Sequence, residues 1–313
     1  MATTRDFGLD VGIYGKNVTA DAVLDMARYA DDLGFDSLWV ADHVIFPAFG
    51  GTQHPYSKDR RFPMDVDSPI LDPIMTMGVI GGATKQVKIG SAVLVMPMRN
   101  PVLVSRMLIT LDHYTNGRVI LGAGSGWLKE EFAALGYANF DQRGKALTEN
   151  VEIFKAMCAG GVVSYKGETF SFDPIYSMPG SLQRPHPPVM IGGVADIALK
   201  RVARQGDGWI SIPMTVEEQN ERLAALKRIC AEEKRDFGAL QLVYKIFFHI
   251  GQSRRDKKGN RTPGIGTVDE VIDDLKTIFD QGFHKIMVRF PTGSSEQMRQ
   301  HIDRLVNDMI PKV

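Results

Sequence analysis

The chain has 313 residues, 44% of them hydrophobic and 24% charged, and its 37 basic residues balance 37 acidic ones. That length fits one large α/β barrel or two ordinary domains, and the even charge leaves no electrostatic footprint for nucleic acid. The N-terminal MATTRDFGLD lacks the charged-then-apolar pattern of a signal peptide, and no apolar run reaches the roughly 18 residues of a membrane span, so a cytoplasmic protein without a membrane partner is expected.

In chain order, the first candidate strand is FGLDVGI (7 to 13). A helix follows from Thr19, with Val23, Leu24, Met26, Ala27, Ala30 and Leu33 recurring on one face and Gly34 placed to end it. Next come strands DSLWVA (36 to 41), QVKIGSAVL (86 to 94), RVILGAG (118 to 124), PVMIGG (188 to 193) and GWISI (208 to 212). A capping box, Thr215 with Glu218, opens a helix before strand LVYKIFFHI (242 to 250). A second box, Thr267 with Glu270, opens another before the eighth strand, KIMVRF (285 to 290). Short apolar runs alternating with amphipathic stretches are the signature of repeated β-then-α units. Eight such units, with no break in composition, predict a closed (β/α)8 TIM barrel as one domain over 1–313; an open doubly wound sheet is the alternative.

Three segments interrupt this rhythm: 44 to 68, 161 to 187 with its hairpin-like VVSYKGETFSF, and 251 to 266. The first and third follow strands directly, so a barrel puts these insertions on its C-terminal face, where barrel active sites are built. Cys158 and Cys230 sit far apart on predicted helices with no C-x-x-C partner, which reads as core packing rather than a disulfide or zinc site. Nor do the strand ends offer a set of histidine and carboxylate ligands at metal-binding spacing.

Asp42 and His43 end the second strand and therefore stand at the barrel mouth. Asp42 capping local amides and His43 satisfying a neighbour is one reading; a histidine that takes or gives a proton near neutral pH is the other, and the catalytic rim favours it. In VILGAGSGW (119 to 127) a strand runs into Gly122, Gly124 and Gly126. The third glycine sits two positions after the second, not three, so the dinucleotide fingerprint is broken. A tight turn and close approach of a cofactor to bare backbone both remain open. Gly192 and Gly193 lie between a strand and a helix, where backbone amides favour an anion, and Lys200 adds charge; a plain turn with a solvated lysine is the other reading. Arg289, in the eighth strand beside Thr292, Gly293 and Ser294, fits either the phosphate corner of a barrel or an interior pair with a carboxylate. His113 and Arg118 lie away from the predicted mouth and read as structural, and the basic cluster around 254 to 261 as a solvated loop.

Together LGFDSLWVADHVIFP, KIGSAVLVMPMRNP, TLDHYTNGRVILGAGSGWLKEEF, QRPHPPVMIGG and RQGDGW, spanning 33 to 209, resemble the luciferase-like monooxygenase superfamily. DHVIFP and GSGWLKEEF most resemble its branch using the deazaflavin coenzyme F420; other branches use reduced FMN with molecular oxygen. The resemblance implies that His43 is the catalytic histidine beside the ring, that Asp42 orients it, and that a non-proline cis peptide lies within Ser91, Ala92 and Val93, at Ala92–Val93. It implies cofactor contacts at those three residues, cofactor-phosphate contacts at Gly192, Gly193 and Lys200, and Arg289 as a candidate for another; the contact expected at Gly124 comes from the glycine-rich turn, not from the resemblance. Sugar-phosphate dehydrogenases of the deazaflavin branch carry a glutamate where this chain has Trp127, so their substrate chemistry does not transfer.

The expected activity is hydride transfer between F420 and a small organic substrate. The alternative is an FMN-dependent monooxygenase served by a separate flavin reductase. The segment 44 to 68, with His54, Tyr56, Arg60 and Arg61, is the expected substrate lid, and a homodimer is expected from the resemblance alone.

Overall fold

The computed structural model describes residues 1–49, 51–55, 67–137, 140–253, 261–291 and 293–313. Among them, eight parallel strands close a barrel: β1 (Phe7–Asp10), β2 (Ser37–Val40), β3 (Lys88–Ser91), β4 (Val119–Gly124), β5 (Val189–Gly192), β6 (Gly208–Ser211), β7 (Gln241–Phe247) and β8 (Lys285–Arg289). Each pairs with its chain neighbour, and β8 returns to β1 with Ile286 opposite Phe7. The seam between β3 and β4 pairs Ile89 with Val119 and Gly90 with Ile120. All eight strands anticipated from the apolar runs are present. Such runs arise because strands in a closed parallel barrel are buried on both faces.

Nine helices lie among the described residues: α1 (Ala20–Asp32), α2 (Pro73–Ala83), α3 (Pro101–Tyr114), α4 (Lys129–Ala134), α5 (Arg143–Ala159), α6 (Asp196–Gln205), α7 (Val216–Glu232), α8 (Val268–Asp280) and α9 (Ser295–Arg304). Helix α1 starts where Thr19 accepts the Ala22 amide at 3.1 Å and stops at Gly34, whose φ of 77° suits a residue without Cβ. Both anticipated capping boxes form, at Thr215 with Glu218 and Thr267 with Glu270. Cys158 and Cys230 are buried and unbridged, and burial pushes the Cys158 thiol up to about 12. Arg118 donates to the carbonyls of Gly81, Thr84, Val87 and Thr115, and a His113 ring nitrogen lies 2.8 Å from the Gly180 oxygen. Both are structural, as read from their position.

Inside the barrel, Trp39, Ala92, Ile120, Met190, Ile210, Val243 and Met287 form a separate apolar cluster. Trp39 fills this space, and a Cβ on Gly8 or Gly90 would come within 2.6 or 2.5 Å of its ring. The interior is therefore packed around the indole, which leaves the C-terminal mouth as the place for chemistry.

Three strands end earlier than expected: β1, β3 and β7, whose run breaks after Phe247 before His249–Ile250 pairs with Ile265–Gly266; the first two differences shape that mouth. β1 ends at Asp10 because its carboxylate turns back to accept the Gly12 amide at 3.0 Å. The run 86 to 94 breaks after Ser91, and a short strand, Leu94–Val95, resumes beside β4. The hairpin is real: Gly161–Lys166 pairs antiparallel with Ser171–Ser177. No helix among the described residues is long and apolar enough to cross a membrane.

Candidate active site

The chain leaves β2 at Ala41 and carries Asp42 and His43 onto the C-terminal rim, both buried. Asp42 accepts the Val95 amide at 2.7 Å and a bidentate Arg99 guanidinium at 2.6 and 2.9 Å. Burial raises the Asp42 carboxyl above its usual value, against the pull of Arg99 and the amide; the fork geometry is that of an ion pair. These contacts correct one expectation. Asp42 does not orient His43, because its oxygens are engaged by the loop after β3.

The carboxylate that meets His43 is Glu131, in the first turn of α4 and itself buried: its Oε2 lies 3.2 Å from Nδ1. Its Oε1 accepts the amides of Val44 and Ile45. The contact fits the tautomer that carries its proton on Nδ1, and it sets the ring's orientation. Glu130, next in the helix, accepts the amide and hydroxyl of Thr52 at 3.1 and 2.8 Å. Consecutive glutamates thus tie the start of the 44 to 68 segment to α4. Aromatic rings enclose the imidazole: Phe46 with its centroid at 4.6 Å, Trp127 at 5.8 Å and Tyr14 at 6.3 Å. His54 and Trp127 stand T-shaped with centroids 4.9 Å apart, so one member of the expected lid reaches the site. Tyr56, Arg60, Arg61, Thr292 and the basic residues 254–260 lie outside the described residues.

The peptide between Ala92 and Val93 is cis, as the resemblance implied. Ala92 donates to the Val40 carbonyl at 2.7 Å, and the Ser91 hydroxyl donates to the Gly122 carbonyl at 2.8 Å while accepting the Gly122 amide at 3.1 Å. Two hydrogen bonds therefore fasten this bulge to β4. The glycines around it follow from the same contact. A Cβ on Gly122 would stand 1.8 Å from the Ser91 oxygen, one on Gly124 2.3 Å from Val93, and one on Gly192 2.6 Å from Val93. Neither a tight turn nor a bare approach to cofactor is needed to explain them: they admit Ser91 and Val93.

Gly193 differs, because its φ of 113° demands glycine regardless of neighbours. It leads into α6, whose N-cap, Ala195, supplies no side-chain hydrogen bond to the first-turn amides. Asp196, in that turn, is drawn outward to Arg222 at 3.1 Å. Lys200 is exposed further along the helix, in the field of Glu233.

Arg289 takes the interior pairing. Its Nη1 lies 3.3 Å from an Asp10 oxygen and 3.0 Å from the Tyr14 hydroxyl, and the guanidinium sits 4.4 Å over the Tyr14 ring. Lys245 reaches the same Asp10 at 2.7 Å. Burial would raise the Asp10 carboxyl, but Lys245 and Arg289 outweigh it and hold the group at about 2. Burial would likewise lower Arg289, and Asp10 overrides it, keeping the guanidinium raised.

Sequence reasoning passed over Glu131, Arg99, Asp10, Tyr14 and Lys245. Two carried a signal: Asp10 and Lys245 are lone charges inside strand-like apolar runs, and a charge there needs a buried partner. No group of three or more His, Cys, Asp or Glu among the described residues is arranged to hold a metal.

A family model described as luciferase-like monooxygenase matches residues 6–258. The uncharacterized protein Rv0953c of Mycobacterium tuberculosis is 31% identical over 238 residues, 76% of this chain and 82% of its own length. The F420-dependent glucose-6-phosphate dehydrogenase of Amycolatopsis mediterranei is 29% identical over 193 residues, 60% of this chain and 52% of its own. The FMN complex of the oxygenating constituent of 3,6-diketocamphane monooxygenase from Pseudomonas putida is similar in structure, with a TM-score of 0.73 over 100% of this chain and 99% of that one. At 12% identity that likeness is one of fold.

Proposed function

The chain belongs to the luciferase-like monooxygenase family, and from that premise we propose that it takes coenzyme F420 at the barrel mouth and moves a hydride between that ring and a small organic substrate. The observation that carries this reading is the buried imidazole of His43, held at its Nδ1 by Glu131 on the C-terminal rim. When bound, the deazaflavin supplies or accepts the hydride, a two-electron step no side chain here performs.

This chain's residues supply the rest. Nε2 of His43 handles the proton that accompanies the hydride, and Glu131 steadies the imidazolium that results. Asp42 and Arg99 fix the loop after β3 and with it the Ala92–Val93 bulge. Phe46, Trp127, Tyr14 and His54 form an aromatic wall that suits a planar ring and keeps water from the proton path. The uncapped start of α6 behind Gly192 and Gly193 fits the cofactor's phosphate, because first-turn amides are free of any side-chain cap. Lys200 would act there only through its field, being exposed on the helix.

One observation favours a second reading: the chain shares the fold of an FMN-bound oxygenating component over its whole length. Under it, His43 would serve a monooxygenase fed with reduced FMN. Titration of the purified protein with F420 and with FMN, followed by absorbance, separates the two. F420 is expected to bind and to support turnover that His43→Ala abolishes while binding persists. Tight FMN binding with oxygen uptake, when a reductase is supplied, overturns the first reading in favour of the second.

We also propose a homodimer. The sequence of α2, PIMTMGVIGGA, is apolar all round, which is unusual for a helix on a surface. Yet Met75 and Val79 on α2, with Leu103 and Met107 on α3, are exposed. A second copy would cover them. Light scattering on a sizing column should give twice the chain mass for the wild type and a monomer for Val79→Glu.

A further inference from the structure

We infer that Lys245 and Arg289 form a subsite for an anionic group, a carboxylate on the organic substrate, on the β7–β8 side of the barrel mouth. The inference rests on the mouth being the active site and adds the class of substrate.

Side chains in a strand alternate between faces, so residues two apart point the same way. Val243 and Met287 belong to the apolar cluster inside the barrel. Lys245 and Arg289, two residues further towards the C-terminal ends of β7 and β8, therefore face the interior as well. Their side chains are 13% and 10% exposed, and that of Asp10 is fully buried.

The charges do not balance. Asp10 is the one carboxylate within reach of both cations among the described residues, at 2.7 Å from Lys245 and 3.3 Å from Arg289. Asp10 also accepts the Gly12 amide and is thus fully supplied with donors. The cations are not supplied with acceptors. Among the described residues Lys245 contacts Asp10 alone, only Nη1 of Arg289 is engaged, and its Nε and Nη2 meet no acceptor. An isolated buried charge is normally paired, and a guanidinium edge with two free N–H groups matches the two oxygens of a carboxylate.

Tyr14 links this cluster to the proposed chemistry. Its hydroxyl accepts from Arg289 at 3.0 Å, and its ring and that of His43 stand T-shaped with centroids 6.3 Å apart. A carboxylate held by Lys245 and Arg289 therefore leaves the body of the substrate against the aromatic wall and about one ring's width from the imidazole. That selects a small organic acid with an apolar or planar body.

The test uses the full chain and two probes that share a body and differ in charge, benzoate and benzyl alcohol, with binding read by calorimetry and F420 titrated in parallel. The wild type is expected to bind benzoate at least about tenfold more tightly than benzyl alcohol. Lys245→Met should erase that preference; it leaves Asp10 paired one to one with Arg289, and a thermal melt checks that it folds. Arg289→Lys, which keeps the charge and loses the fork, should weaken benzoate several-fold and supplies the answer should the first variant not fold. Equal wild-type affinity for the two probes overturns the inference, as does unchanged benzoate binding in both variants. Weakened F420 binding with benzoate unaffected assigns the anion to the cofactor and also overturns it. Failure of F420 and FMN to bind, with the benzoate preference intact, removes the cofactor reading and leaves the subsite standing.

Discussion

The barrel mouth holds two buried clusters of charged side chains that differ in how partners are shared. On the side of β2 and α4 each carboxylate has its own fixed partner, Glu131 the ring of His43 and Asp42 the fork of Arg99. On the side of β1, β7 and β8 two cations share Asp10. One fixed partner for each carboxylate is what a frame requires, since it sets where His43 and the loop after β3 stand. An unbalanced cluster is costly by itself and complete only with a further anion. The comparison separates residues that position from residues that receive.

The largest effect should come from breaking the balanced side. Arg99→Ala strands the buried Asp42 carboxylate, at a cost of about 3–5 kcal/mol, and should lower the denaturant midpoint and the melting temperature together. Replacing both partners, Asp42→Leu with Arg99→Met, should recover most of that loss, because a buried pair gives little net stability over apolar side chains of similar volume. If the double variant is as unstable as the single one, Asp42 does more than anchor the loop after β3.

Glu131→Gln probes the other pair with a smaller expected effect. The amide keeps a hydrogen bond to His43 but not the charge, so a charge-assisted interaction of about 1.5–3 kcal/mol weakens. Turnover should fall roughly tenfold to a hundredfold while F420 affinity holds.

The same contrast explains what was legible in the sequence. The eight strands could be read because a barrel strand, covered on both faces, is an unbroken apolar run. The helix starts at Thr215 and Thr267 could be read because a capping box is local chemistry. His43 was visible because it stood where a strand had to stop. Glu131 was not, since an acidic first turn in LKEEF is equally what a solvent-facing helix start looks like. The glycines at 122, 124 and 192 were visible as backbone needing space, but that space is filled by Ser91 at the end of β3 and Val93 just after it, both distant in the chain. Asp10 and Lys245 were readable in principle, as single charges on the interior phase of FGLDVGI and LVYKIFFHI; that they meet is a property of barrel closure, which brings β1 to β8 and β7 beside it.

The smallest expected effect sharpens the comparison on its unbalanced side. Asp10 is held at about 2 in the folded protein against 3.8 for the free group, a difference worth about 2 kcal/mol of stability. Because the folded value is the lower one, this contribution is complete above pH 4 and is lost as the pH falls from about 4 to about 2, where the folded carboxylate takes up its proton. Acid titration of unfolding free energy should show that loss in the wild type. In Lys245→Met one of the two cations that depress Asp10 is gone, so its pKa should rise and the loss should shrink and move to higher pH. Were the acid limb of the variant to match that of the wild type, Lys245 would not be acting on Asp10, and the surplus positive charge assigned to this side of the mouth would have to be sought elsewhere.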